Sequence, residues 1–148
     1  MATMGAKLFI DTNVLVYAQV AEAPLHDHSR SVLRKHLEAG GEFWISRQVI
    51  REFLAVMTRQ PGLPEKTAQG GLVEIIRGFI AHCRVADETS AVTDALLKLL
   101  SECPCSGRQV HDANIAATMM AHGVPALLTH NTSDFKRFRK FITIVPLK

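Results

Sequence analysis

The chain has 148 residues, 47% hydrophobic and 21% charged, with a formal net charge of +3 at pH 7. That length suits one domain with a real core, and the composition lies far from the polar, charge-rich make-up that leaves a chain disordered. The modest positive charge is compatible with a polyanionic partner without requiring one.

Lys7 to Ile10 is a brief apolar run that stops at Asp11, which predicts a short buried strand. Helical spacing follows, with Asp11 or Thr12 able to cap a segment through Ala18. A second helix is predicted from about His26 to Ala39, with Val32, Leu33 and Leu37 on one face, and Gly40 and Gly41 end it. Phe43 to Ile45 predicts a second strand, followed by a helix from about Arg47 to Arg59 that stops before Pro61, Gly62 and Pro64. Glu65 to Ala81 predicts a further helix, and Arg84 to Ala86 a short strand. Val92, Ala95, Leu96, Leu99 and Leu100 recur at the spacing of one helix face, and Pro104, Ser106 and Gly107 mark the loop after it. The next helix is expected to begin near Asp112, carry Ile115, Ala116, Met119 and Met120 inward, and stop at Gly123. Ala126 to Leu128 predicts a strand, Asn131 or Thr132 opens a short helix with Phe135 and Phe138, and Thr143 to Val145 predicts the last strand. Met1 to Ala6 reads as a flexible leader. Alternating strands and helices without an internal repeat or linker predict a single α/β domain over residues 1–148, built on a mainly parallel sheet.

No uninterrupted apolar run approaches the roughly 20 residues needed to span a bilayer, and the Leu8 to Ile10 run is cut by Asp11, unlike a secretory signal. Cys83, Cys103 and Cys105 lack the spacing of a disulfide framework. A cytoplasmic location without membrane attachment is the expectation.

Asp11, Glu52, Asp112 and Asp134 occupy positions where a solvated surface acid is not expected. Open α/β sheets bind ligands beyond the carboxyl ends of their strands, where strand order reverses. Asp11 follows the first strand, and Asn131 and Asp134 follow Ala126 to Leu128, so neighbouring strands would deliver them to one edge. Glu52 shares a helical face with Val49, Phe53 and Val56. An ionised carboxylate aimed at the core needs a cation, a hydrogen-bond partner or a proton, and a structural salt bridge would also serve. Asp112 heads the stripe of Ile115, Ala116 and Met119, although helix capping alone would explain Asp112 or Asp134. Clustered carboxylates repel until a proton or cation relieves them, and all-oxygen ligation suits Mg²⁺ or Mn²⁺ better than zinc.

Four stretches sharpen that reading: Phe9-Ile10-Asp11-Thr12-Asn13, Ile50-Arg51-Glu52-Phe53, the run His111 to Ala117, and the run Leu128 to Phe135. In order and spacing the set resembles PIN-domain proteins, and among these the VapC-type toxin ribonucleases. The resemblance implies a flavodoxin-like three-layer α/β/α sandwich and Mg²⁺- or Mn²⁺-dependent endonucleolytic cleavage of RNA. It implies Asp11, Glu52, Asp112 and Asp134 as the acidic metal-binding set, direct or through water, with Thr12, Asn13 and Asn131 in support. It further implies a homodimer inhibited by a cognate VapB-type antitoxin. Arg108, Lys136, Arg137, Arg139 and Lys140 are candidates for holding the RNA backbone, the last four crowding just after Asp134; a solvated helix face explains them equally. Arg47, Arg51 and Arg59 share a segment with Glu52.

Competing readings are weaker. Cys103 and Cys105 with His111 lack a fourth ligand and the spacing of a zinc site. No phosphate-binding loop, dinucleotide fingerprint or nucleophile elbow occurs. The alternative from another class is a non-cleaving module that retains the acidic pocket and binds RNA or a protein.

Overall fold

The computed structural model describes residues 6–59 and 65–148. In chain order the elements are β1 (Lys7–Ile10), α1 (Thr12–Gln19), α2 (His26–Glu38), β2 (Glu42–Ser46), α3 (Arg47–Met57), α4 (Glu65–His82) and β3 (Arg84–Ala86). There follow α5 (Ser90–Glu102), α6 (Gln109–His122), β4 (Ala126–Thr129), α7 (Thr132–Phe135) with a 3-10 turn (Lys136–Phe138), and β5 (Thr143–Pro146). The predicted flexible leader, Ala6 apart, and the helix-stopping Pro61, Gly62 and Pro64 lie outside the described residues.

The five strands lie in the order β3-β2-β1-β4-β5, and every pairing is parallel, so the sheet is wholly rather than mainly parallel. A central parallel strand is covered on both faces, which is why Leu8, Phe9 and Ile10 form a continuous apolar run instead of alternating. Right-handed crossovers put α1 to α4 on one face of the sheet and α5 to α7 on the other. The packing agrees: α1 lies against α2 and α3, α3 against α4, α5 against α6, and α6 against α7. The result is the expected α/β/α sandwich. Its core joins Phe9 and Leu127 from the sheet to Phe53 on one face and Ile115, Met119 and Phe135 on the other.

Local chemistry explains most element ends. Asp11 caps α1 by accepting from the Thr12 N–H, and Ser46 caps α3 by accepting from the Val49 N–H at 3.2 Å. Gly123, at φ 68°, takes the left-handed conformation that closes α6, as predicted. Helix α3 stops at Met57 rather than Arg59, because the Thr58 hydroxyl bonds the Leu54 carbonyl (2.7 Å) and the Arg59 Nε that of Ala55 (3.0 Å). Leu37, expected on the buried face of α2, is 55% exposed. That helix packs chiefly on α1, so its last turn has little to cover it.

Candidate active site

Strand order reverses between β1 and β4: the chain builds outward through β2 and β3, then returns to add β4 and β5 on the other side. Ile10 pairs with Leu128, and the Asp11 N–H extends the ladder to the Leu128 carbonyl at 3.0 Å. Asp11 and Thr129, one residue beyond that pair, therefore emerge side by side at the carboxyl edge. Their contact is short: the Thr129 hydroxyl donates to Asp11 Oδ2 at 2.7 Å. Thr129 is fully buried, as its place at the end of a central strand dictates.

Two further donors hold the Asp11 carboxylate, the Thr12 N–H on Oδ1 (2.8 Å) and Asn13 Nδ2 on Oδ2 (3.1 Å). Asn13 also accepts from the His130 N–H at 3.1 Å, strapping the start of α1 to the loop after β4. The Asn131 N–H donates to the Thr129 hydroxyl at 3.0 Å, so both loops are hydrogen-bonded around one threonine. The Thr12 hydroxyl donates to Glu52 Oε1 at 3.2 Å, linking α1 to α3. Glu52 is half-buried above Val49 and Phe53, and among the described residues it takes part in no salt bridge.

All four acids line one groove of about 750 Å³, together with Thr12, Asn13 and Asn131. Arg59, Arg108 and Gln109 line it as cationic and polar groups, and Tyr17, Ile115 and Phe135 as apolar ones. Burial pushes the Asp11 carboxyl above the ordinary carboxylate range; the nearby Glu52 charge adds to that, and the Thr129, Thr12 and Asn13 donors pull against it. Asp112 is pushed up to about 6, first by burial and then by the charges of Asp134, Asp11 and Glu52, with Arg108 opposing.

Capping does not account for Asp112 or Asp134, since neither α6 nor α7 has a side-chain cap. Helix α6 begins at Gln109, not near Asp112, because Gln109 Oε1 accepts from the Ser106 N–H (3.1 Å) and Gly107 turns the chain at φ 57°. Asp112 thus faces the groove from inside the first turn. Among the described residues, no three His, Cys, Asp or Glu side chains lie close enough together to hold a metal ion between them.

The basic residues divide. Arg108 lines the groove, whereas Arg137, Arg139 and Lys140 line a separate pocket of about 410 Å³ beside Cys103 and Pro104, and Lys136 lies exposed next to it. One bond connects the two places, from the Arg137 guanidinium to Gln109 Oε1 at 3.0 Å. Arg59, from the basic set that shares a segment with Glu52, lies in the groove, whereas no sequence motif marks Thr129 for the part it takes. For Thr129 the available signal was a hydroxyl ending an apolar strand.

The three-layer sandwich is that of the PIN domain family, and the chain belongs to it: the family model matches residues 8–141. Among curated relatives it is similar to Ribonuclease VapC48 of Mycobacterium tuberculosis, 27% identical over 130 residues that cover 86% of this chain and 89% of the relative. The structure of VapBC2 from Rickettsia felis bound to a DNA fragment from its promoter superposes with a TM-score of 0.72, at 20% identity over 95% of this chain and 98% of the other. VapC20 of Mycobacterium tuberculosis, a toxin that cleaves the sarcin-ricin loop, gives a TM-score of 0.68 at 17% identity over 94% and 99% of the two chains.

Proposed function

We propose that this protein is a metal-dependent endoribonuclease that hydrolyses RNA phosphodiester bonds, the toxin of a type II toxin–antitoxin pair. The observation that carries the reading is Asp11, buried at the switch point with both oxygens held by donors, in a groove shared with Glu52, Asp112 and Asp134. These four acids would hold Mg²⁺ or Mn²⁺ directly or through water. The donor set is all oxygen, and magnesium commonly keeps several waters while using only one or two carboxylates, so one or two of these acids would bind it directly and the others through water. The chemistry supplied by such an ion is activation of water and stabilisation of charge on the phosphate.

The chain's own residues supply the rest. Thr129, Thr12 and Asn13 fix the orientation of Asp11, and the Thr12 hydroxyl steadies Glu52. Asp112, pushed up to about 6 by burial and the charges of Asp134, Asp11 and Glu52, is an acid whose ionised form a bound cation would favour. Arg59 and Arg108 offer guanidinium groups to phosphate oxygens, and the half-buried Tyr17 offers ring surface to an unstacked base. Beyond the groove, Arg137, Arg139, Lys140 and Lys136 would hold the RNA backbone where the strand runs past Gln109.

The likeness to VapC ribonucleases and to a VapBC assembly supports a VapB-type antitoxin as partner. Exposed apolar side chains on α4 and α5, Val73, Ile80 and Leu97, support a homodimer, which light scattering tests. Free cysteines support a reducing, cytoplasmic setting.

The deciding experiment is cleavage of an RNA panel with Mg²⁺ or Mn²⁺ by wild type and Asp11→Asn, with and without chelator. Cleavage that survives both the substitution and the chelator removes the metal-dependent reading; binding without cleavage across the panel favours the non-cleaving module.

A further inference from the structure

Gln48 lies on α3, against one face of the sheet, yet its amide reaches α6 in the opposite layer. Its Nε2 donates to the His111 carbonyl at 2.9 Å, and its Oε1 accepts from Asn114 Nδ2 at 2.9 Å. Asn114 Nδ2 also donates to Glu88 Oε1 at 2.8 Å, anchoring the chain of bonds ahead of α5. Gln48 is only 5% exposed, so both ends of the amide need partners, and both come from α6.

Three features set this contact apart from an ordinary satisfied core amide. Gln48 precedes Glu52 by one helical turn, His111 directly precedes Asp112, and Asn114 follows it by two residues, so the bonds bracket Asp112 and start one turn from Glu52. The His111 carbonyl sits in the first turn of α6, where carbonyls already accept within the helix; the bond from Gln48 is therefore surplus to that helix's needs and serves its placement. Glu52 and Asp112 both line the groove and repel when ionised, which tends to spread α3 from α6. A buried neutral amide opposes that spreading without adding a charge to the groove.

We infer that Gln48 is a positioning residue, with Asn114, which fixes the separation of Glu52 and Asp112 through two hydrogen bonds across the edge of the sheet. The inference rests on the ribonuclease reading of the groove. Gln48→Met keeps the length of the side chain and removes both polar ends; Asn114→Ala is milder, leaving the bond from Gln48 to His111. Three readouts apply to each: kcat and KM on a cleaved RNA, calorimetric titration with Mn²⁺ alone, and amide hydrogen exchange over residues 109–114. Gln48→Met is expected to lower kcat and Mn²⁺ affinity each by about ten-fold or more, the scale seen when groups behind metal ligands are removed. KM should stay within about two-fold, because substrate contacts are untouched, and exchange in the first turn of α6 should quicken. Asn114→Ala should move the same quantities in the same direction by less.

A folded Gln48→Met protein whose kcat, Mn²⁺ affinity and exchange all match wild type overturns the inference. If Gln48→Met does not fold, Asn114→Ala decides it, and unchanged kcat and Mn²⁺ affinity there overturn it equally. Should wild type neither cleave RNA nor bind Mn²⁺, the ribonuclease reading has failed, and exchange over 109–114 alone judges whether Gln48 holds the turn.

Discussion

Replacing Thr129 by valine removes one hydroxyl, and the bonds it makes, from the heart of the groove. The substitution keeps the branched shape and removes a fully buried hydroxyl that donates to Asp11 at 2.7 Å and accepts from the Asn131 N–H at 3.0 Å. A hydrogen bond to an ionised carboxylate contributes about 1.5–3 kcal/mol and an amide–hydroxyl bond about 0.5–1.5 kcal/mol, so the expected loss is about 2–4.5 kcal/mol near neutral pH. The loss depends on pH in a defined direction. Asp11 titrates above 3.8 in the folded chain, so its contribution to stability is complete below that value and declines as pH rises through its folded pKa. Removing the Thr129 donor raises the folded pKa further and extends that decline to higher pH. The penalty should therefore be larger near pH 7.5 than at about pH 4, where Asp11 is closer to neutral and the lost bond is weaker. Urea denaturation in chelator at both pH values measures it. A penalty below about 0.5 kcal/mol near neutral pH, or an equal penalty at both, would refute the account.

Asp112→Asn should stabilise the metal-free protein by about 1 kcal/mol near pH 8, a figure reduced for solvent screening because the carboxyl is only half-buried. The sign follows from a folded pKa of about 6, which makes the ionised form unfavourable above that pH; below about pH 4 thermal melts of the two proteins should coincide. Glu52→Gln keeps an acceptor for the Thr12 hydroxyl, so its melting temperature should stay near wild type while RNA cleavage falls about 100-fold or more, as measured by single-turnover kinetics. Neutralising Arg59 and Arg108 together should lower the salt slope of binding to single-stranded RNA by about 1.4, near 0.7 for each phosphate contact; an unchanged slope would remove both from the interface.

What the sequence discloses is largely what depends on neighbours along the chain. The abrupt end of Leu8-Phe9-Ile10 at Asp11 marks a strand end and a cap together, and Gly123 closes α6 as its left-handed conformation requires. Thr129, by contrast, matters only because β4 lies beside β1, and no local pattern reports that pairing. Gln48 reads as one more polar residue on α3 until α6 is brought across the edge of the sheet. The basic run from Lys136 to Lys140 follows Asp134 closely in sequence, but the 3-10 turn directs three of its side chains into the pocket beside Cys103 and away from the acids. The start of α6 is hidden for a similar reason, since a glutamine side chain, not a conventional cap, opens it.

The position of β1 between β2 and β4 also governs when the groove can exist during synthesis. Asp11 emerges early, but its partner Thr129 and the wall bearing Asp134 come more than a hundred residues later. Until then one edge of β1 is open and the Asp11 carboxylate lacks its shortest hydrogen bond. A chain still being made therefore carries three of the four acids without the groove that joins them. Order of synthesis would thus delay the complete site until the segment through Asp134 has been made.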